Sequence, residues 1–228
     1  MSQRKMALFV EGQTESIFVK KLLIEVAGEK NIEFQEESNA KNIIISNKHS
    51  NDIKKYFVLI VDCNNDDSVK TRILENRDRL IRANYDIVIG LRDTYPIPAS
   101  EINQLERGLR TGVPTKGLQI EFCLAVMEIE AWFLQESNHY VKIDNRLTRQ
   151  AIIDETGFDP VEHNAENVEQ PASLLKNIYS IAGKSYRKKR NQVNRTVDAL
   201  DYEEMYTVLP EKVSRLKVFL KYIDSFMQ

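Results

Sequence analysis

Three carboxylates stand where apolar runs stop. Met6-Ala7-Leu8-Phe9-Val10 ends at Glu11, Lys55–Val61 ends at Asp62, and Tyr85–Leu91 ends at Arg92-Asp93. Short apolar runs rich in β-branched and aromatic residues read as buried strands. In an open parallel sheet the carboxyl ends of such strands share one edge, and ligands bind there. Acids gathered at that edge suit a hard divalent cation. Mg²⁺ takes oxygen ligands, often one or two carboxylates, and keeps waters or substrate phosphates for the rest. Two metals about 4 Å apart can clamp an in-line phosphoryl displacement. The competing reading is that polar residues simply end ordinary strands.

Two further groups carry charge in a suggestive pattern. Met127-Glu128-Ile129-Glu130-Ala131-Trp132 places two acids beside an apolar face. On a helix, residues two apart are separated by about 200° and cannot face one site, whereas on a strand they share a face. Lys184-Ser185-Tyr186-Arg187-Lys188-Lys189-Arg190 is the strongest local charge asymmetry. Such a run neutralises phosphates, and Tyr186 is a candidate to stack on an unpaired base; a solvated face explains it equally. Arg92 fits either a phosphate contact or a strand-end salt bridge. Glu15 is explained by a helix's first turn, where an acid meets the macrodipole.

The elements that must position these groups follow from periodicity. Thr14–Ala27, a segment after Ser68, and Ala99–Leu109 have helical spacing, and Leu118–Val126 alternates as a half-buried strand. Residues 32–50 are mixed, with one β-type run at Ile43–Ile45. Alternation of strand and helix predicts an α/β domain over 1–135, a mostly parallel sheet flanked by helices. Helical spacing at Thr148–Glu155, Ala172–Ala182, Val197–Val208 and Pro210–Phe226 predicts a helical C-terminal subdomain over 136–228.

Composition narrows the class. The 34 acids nearly cancel the 32 Lys and Arg, so no global basic field marks a nucleic-acid binder, and any such contact must be local. Two isolated cysteines, Cys63 and Cys123, argue against a disulfide framework. No apolar run reaches membrane-spanning length, and a cytoplasmic location is expected. His49, His139 and His163 lack metal-ligand spacing, and no Walker A loop, G-x-G-x-x-G or G-x-S-x-G motif occurs.

The segment Val10-Glu11-Gly12-Gln13-Thr14-Glu15 resembles the glutamate motif of the TOPRIM fold, shared by primases, topoisomerases and OLD-family nucleases. Leu91-Arg92-Asp93 and the Met127–Trp132 segment follow at the spacing of bacterial TOPRIM-like families of the OLD and RloB type. The resemblance covers residues 6 to about 134. It implies a Mg²⁺- or Mn²⁺-dependent phosphoryl-transfer enzyme on DNA or RNA, most simply a nuclease, with a possible place in phage defence and a protein partner such as an ATPase. It implies Glu11, Asp93 and Glu130 as catalytic residues, with Glu11, Asp93, Glu130 and Glu128 around the metal; the strand-end reading adds Asp62 to that metal set. Arg92, Lys184, Arg187, Lys188, Lys189 and Arg190 would hold the nucleic acid. The family's D-x-D motif has Tyr95 at its second acid here, which leaves open a catalytically degenerate module that binds nucleic acid, nucleotide or a protein. Asp62, Asp66, Asp67, Glu128 or Glu130 are the acids that could replace it.

Overall fold

The computed structural model describes residues 3–38, 45–46, 54–64 and 68–228. The run of buried residues Met6–Val10 forms β1 (Arg4–Val10), followed by α1 (Gln13–Ala27), β2 (Ile32–Ser38) and the short β3 (Ile45–Ser46). Then come β4 (Tyr56–Asp62), α2 (Ser68–Arg82), β5 (Ile87–Asp93), α3 (Ile102–Arg110) and β6 (Gln119–Ala125). The sheet order is β3-β2-β4-β1-β5-β6. β4 runs parallel to β1 and β2, β5 runs parallel to β1, and β3 lies antiparallel at one edge. The chain is therefore α/β with a mostly parallel sheet flanked by helices, the class expected from its alternation.

β2 departs from the sequence reading, which placed only a short β-type run near Ile43–Ile45. In Ile32-Glu33-Phe34-Gln35-Glu36-Glu37-Ser38 only Ile32 and Phe34 are buried, so apolar alternation fails after two turns of the pleat. Of the expected run, Ile43 and Ile44 lie outside the described residues. The helix after β1 starts at Gln13, one residue before the expected start at Thr14, with Gly12 extended at its N-cap.

Packing across the sheet is tight at Gly90 in β5. A Cβ there would lie 2.9 Å from Ile73 Cδ1, 2.9 Å from Phe122 Cδ1 and 3.0 Å from Val69 Cγ1. All three are buried core residues, so they cannot move aside at no cost. Gly90→Ala is expected to destabilise the fold by about 1–3 kcal/mol through overpacking, read as a lower urea midpoint at unchanged m-value.

Among the described residues, seven more helices follow: α4 (Glu130–Gln135), α5 (His139–Ile143), α6 (Arg149–Thr156), α7 (Pro171–Ile181), α8 (Arg190–Ala199), α9 (Tyr202–Thr207) and α10 (Ser214–Met227). The single helix expected over Val197–Val208 is two. Leu200 and Asp201 interrupt it, and the Asp201 side chain caps α9 by accepting from Glu204 N. The chain clusters into two compact units, 1–92 with 100–124 and 221–228, and 93–99 with 125–220. They interleave along the chain rather than meeting at residue 135. Residues 93–99 join the second unit because Thr94 N donates to Ala125 O and Tyr95 N to Met127 O, each at 2.9 Å. That unit is pinned by a buried polar chain: His139 lies 3.1 Å from the Tyr179 hydroxyl, which donates to Thr196. No helix among the described residues is long and apolar enough to cross a membrane.

Candidate functional site

In the first unit two acids leave neighbouring parallel strands together. Val10 of β1 is in register with Asp62 of β4, so Glu11 follows one residue beyond that level. Cys63 N donates to Val10 O at 2.9 Å and locks the two ends side by side. Both carboxylates act on the same thiol. Burial pushes Cys63 up to about 12; Arg72 opposes this, and Asp62 and Glu11 add to it. Burial also raises the Asp62 pKa, against a hydrogen bond from Asn64 N. Glu15 is buried at the start of α1, its Oε2 3.5 Å from where a Gly12 Cβ would stand. Arg92 is buried near the end of β5.

The second unit gathers the other acids around an ammonium. Lys188 Nζ lies 3.0 Å from Glu128 Oε1 and 3.1 Å from Glu130 Oε2. Glu130 is fully buried, and its Oε1 accepts the Tyr186 hydroxyl at 2.8 Å. Oε2 has the ion pair but no aligned hydrogen bond. Burial raises the Glu130 pKa, and Lys188 opposes the rise. Burial disfavours the charge on Lys188, yet Glu130, Glu128 and Asp93 outweigh it and raise its pKa. Asp93 is itself buried, and its Oδ1 accepts from Ile129 N at 2.9 Å. Glu128 Oε2 accepts from Ala172 N at 2.8 Å, in the first turn of α7, where a carboxylate meets the dipole.

This arrangement corrects the sequence reading in three places. Glu128 and Glu130 do meet at one group, because helix spacing does not apply to them. Met127 has φ 57°, and α4 begins only at Glu130, so Glu128 sits in the turn. Tyr186 cannot stack on a base: it is 2% exposed and bonded to Glu130. Lys188, expected to hold phosphate, is engaged by Glu128 and Glu130. Of the same run, Lys184 lies 3.9 Å from Asp144, while Arg187, Lys189 and Arg190 are exposed. Arg72 was not singled out in the sequence, since a single basic residue on an amphipathic helix carries no signal of its own.

Among the described residues, no group of three or more His, Cys, Asp or Glu stands in metal-holding geometry. Glu11 and Asp62 follow one another by one level at the ends of neighbouring strands, and one or two carboxylates are what Mg²⁺ commonly takes from protein. Asp66 and Asp67 lie outside the described residues, as does His49. Tyr95, which stands where the TOPRIM resemblance would call for a second acid, is 52% exposed.

A family model described as Domain of unknown function (DUF4276) matches residues 10–208. The chain belongs to that family. The DUF4276 match begins at the strand that delivers Glu11 and runs through α9. It therefore takes in the helical segment as well as the sheet, and includes Lys188 with its two glutamates. No curated protein and no solved structure matches the chain.

Proposed function

We propose that this DUF4276 protein is a divalent-metal-dependent phosphoryl-transfer enzyme acting on nucleic acid, a nuclease in its simplest form. The observation that carries this reading is the Glu11–Asp62 pair, delivered side by side at the carboxyl edge of a parallel sheet. Mg²⁺ or Mn²⁺ is the cofactor, with Glu11 and Asp62 as the residues that would hold it. When bound, such an ion activates water and offsets the charge that grows on phosphate. Glu11, which is not fully buried, is suited to receive the proton of an attacking water. Exposed Arg187, Lys189 and Arg190 supply a cationic surface for the strand, whose binding would weaken with salt. The TOPRIM resemblance supports a cytoplasmic enzyme with a protein partner, in defence against phage; this step is analogy.

The test is cleavage of plasmid and single-stranded DNA and RNA with Mg²⁺ or Mn²⁺, beside EDTA and a calorimetric titration of each metal. Metal-dependent cutting is the expected result. If no nucleic acid is cut and neither metal binds, the proposal fails. A second reading, a degenerate binding module, is favoured by Tyr95 at the acid's position and by the Lys188 ammonium between Glu128 and Glu130. It predicts nucleic-acid binding that is indifferent to metal.

A further inference from the structure

Tyr95 removes a carboxylate from the motif, and it also places an aromatic ring at the wall of a cavity. The second unit contains a pocket of about 430 Å³ lined by Tyr95, Pro96, Met127, Asn167, Glu169 and Gln170 among others. That volume lies within the usual range for small-ligand sites, roughly 300–1,000 Å³. Among the described residues, Tyr95 is one of the few large apolar side chains left exposed, at 52%. Its backbone is not loose. Tyr95 N donates to Met127 O at 2.9 Å, and Met127 N donates to the buried Thr94 hydroxyl at 2.7 Å. The facing wall is fixed as well: Glu166 accepts from the Ser214 hydroxyl and from Arg215 N, both at 3.2 Å. Ala165 N donates to the buried Gln135 Oε1 at 2.9 Å.

The chemistry of this lining chooses among ligands. It contains two carboxylates, from Glu166 and Glu169, two amides, from Asn167 and Gln170, and no Lys or Arg. A phosphate would be repelled there. A flat heterocycle suits it better: one face packs on the Tyr95 ring, and the edge meets amide and carboxylate groups that bond exocyclic amino and ring N–H groups. We propose that the pocket takes one unpaired nucleobase stacked on Tyr95, so that the strand is held by a base here and by its phosphates elsewhere. This rests on nucleic acid as the substrate class of the proposed function.

The test uses fluorescein-labelled single-stranded octadeoxycytidylate and an abasic octamer of the same backbone, followed by anisotropy in EDTA. Base–aromatic stacking sets the scale. Tyr95→Ala is expected to weaken octadeoxycytidylate binding roughly ten- to a hundred-fold, Tyr95→Phe to leave it within about two-fold, and the abasic strand to bind weakly to all three proteins. Circular dichroism and the melting temperature check that the exposed substitution leaves the fold intact. Unchanged affinity in Tyr95→Ala, or an abasic strand that binds as tightly as octadeoxycytidylate, overturns the inference. The experiment runs without metal and also on Glu11→Ala, so it is separable from cleavage. Tyr95-dependent binding without cutting would sink the nuclease and keep the base site; cutting with Tyr95-independent binding would do the reverse.

Discussion

Glu11→Ala is expected to lower the proposed metal-dependent strand cleavage by roughly 10²–10⁴-fold, the contribution of one positioned acid–base group, with little change in the melting temperature. The asymmetry follows from placement. Glu11 lies just past the last residue of β1, and its side chain is only part-buried, so its removal leaves no cavity in the core. Asp62→Asn should act differently. The amide keeps an oxygen to accept from Asn64 N, but it gives a metal a neutral ligand in place of an anionic one. Its cleavage defect is therefore expected to shrink as Mg²⁺ is raised, whereas that of Glu11→Ala should persist if Glu11 receives the proton. Metal titrations of the rate for both variants separate the roles. Equal cutting by wild type and Glu11→Ala would remove this edge of the sheet from consideration.

The legible parts of this chain are those where one strong local signal suffices. β1, β4 and β5 are continuous apolar runs, and their terminal acids can be counted off the sequence. β2 escapes because Glu36 and Glu37 fill the pleat after Phe34, and Lys20 and Arg79 pair with them from outside the strand. The Lys188 ion pairs were not legible for a different reason. Sixty residues separate Lys188 from Glu128, and the left-handed turn at Met127 gives no periodic signature. The five cations flanking Tyr186 over 184–190 read as a binding surface until the fold turns the tyrosine ring and one of the lysines inward. The short motifs that suggested TOPRIM stop near residue 134, while the DUF4276 match continues to 208. The helical segment therefore belongs to the family's common chain and is not an addition to it.

That inward-turned lysine carries the largest expected effect on stability. Removing one partner of a buried pair leaves the other charge uncompensated, which costs about 3–5 kcal/mol when both are fully buried. The Lys188 side chain is 39% exposed and Glu130 is fully buried, so water screens part of the interaction and about 2–3 kcal/mol is the expectation for Lys188→Met. The sign with pH follows from Glu130. Burial raises its pKa, with Lys188 opposing; without Lys188 the folded pKa rises further. A raised folded pKa means that the native state holds the proton more tightly than the unfolded chain does. The stability tied to this group is then full below the unfolded pKa, about 4.3, and is lost as pH rises through the folded value. Lys188→Met should thus be close to wild type near pH 4 and progressively weaker toward pH 8, measured by urea unfolding. Adding Glu130→Gln should restore much of the loss at pH 8, because the side chain no longer carries a charge and its oxygen can still accept from the Tyr186 hydroxyl. A pH-independent deficit in the single variant would mean that Lys188 contributes by packing its aliphatic stem, and that the ion pairs with Glu128 and Glu130 are energetically silent.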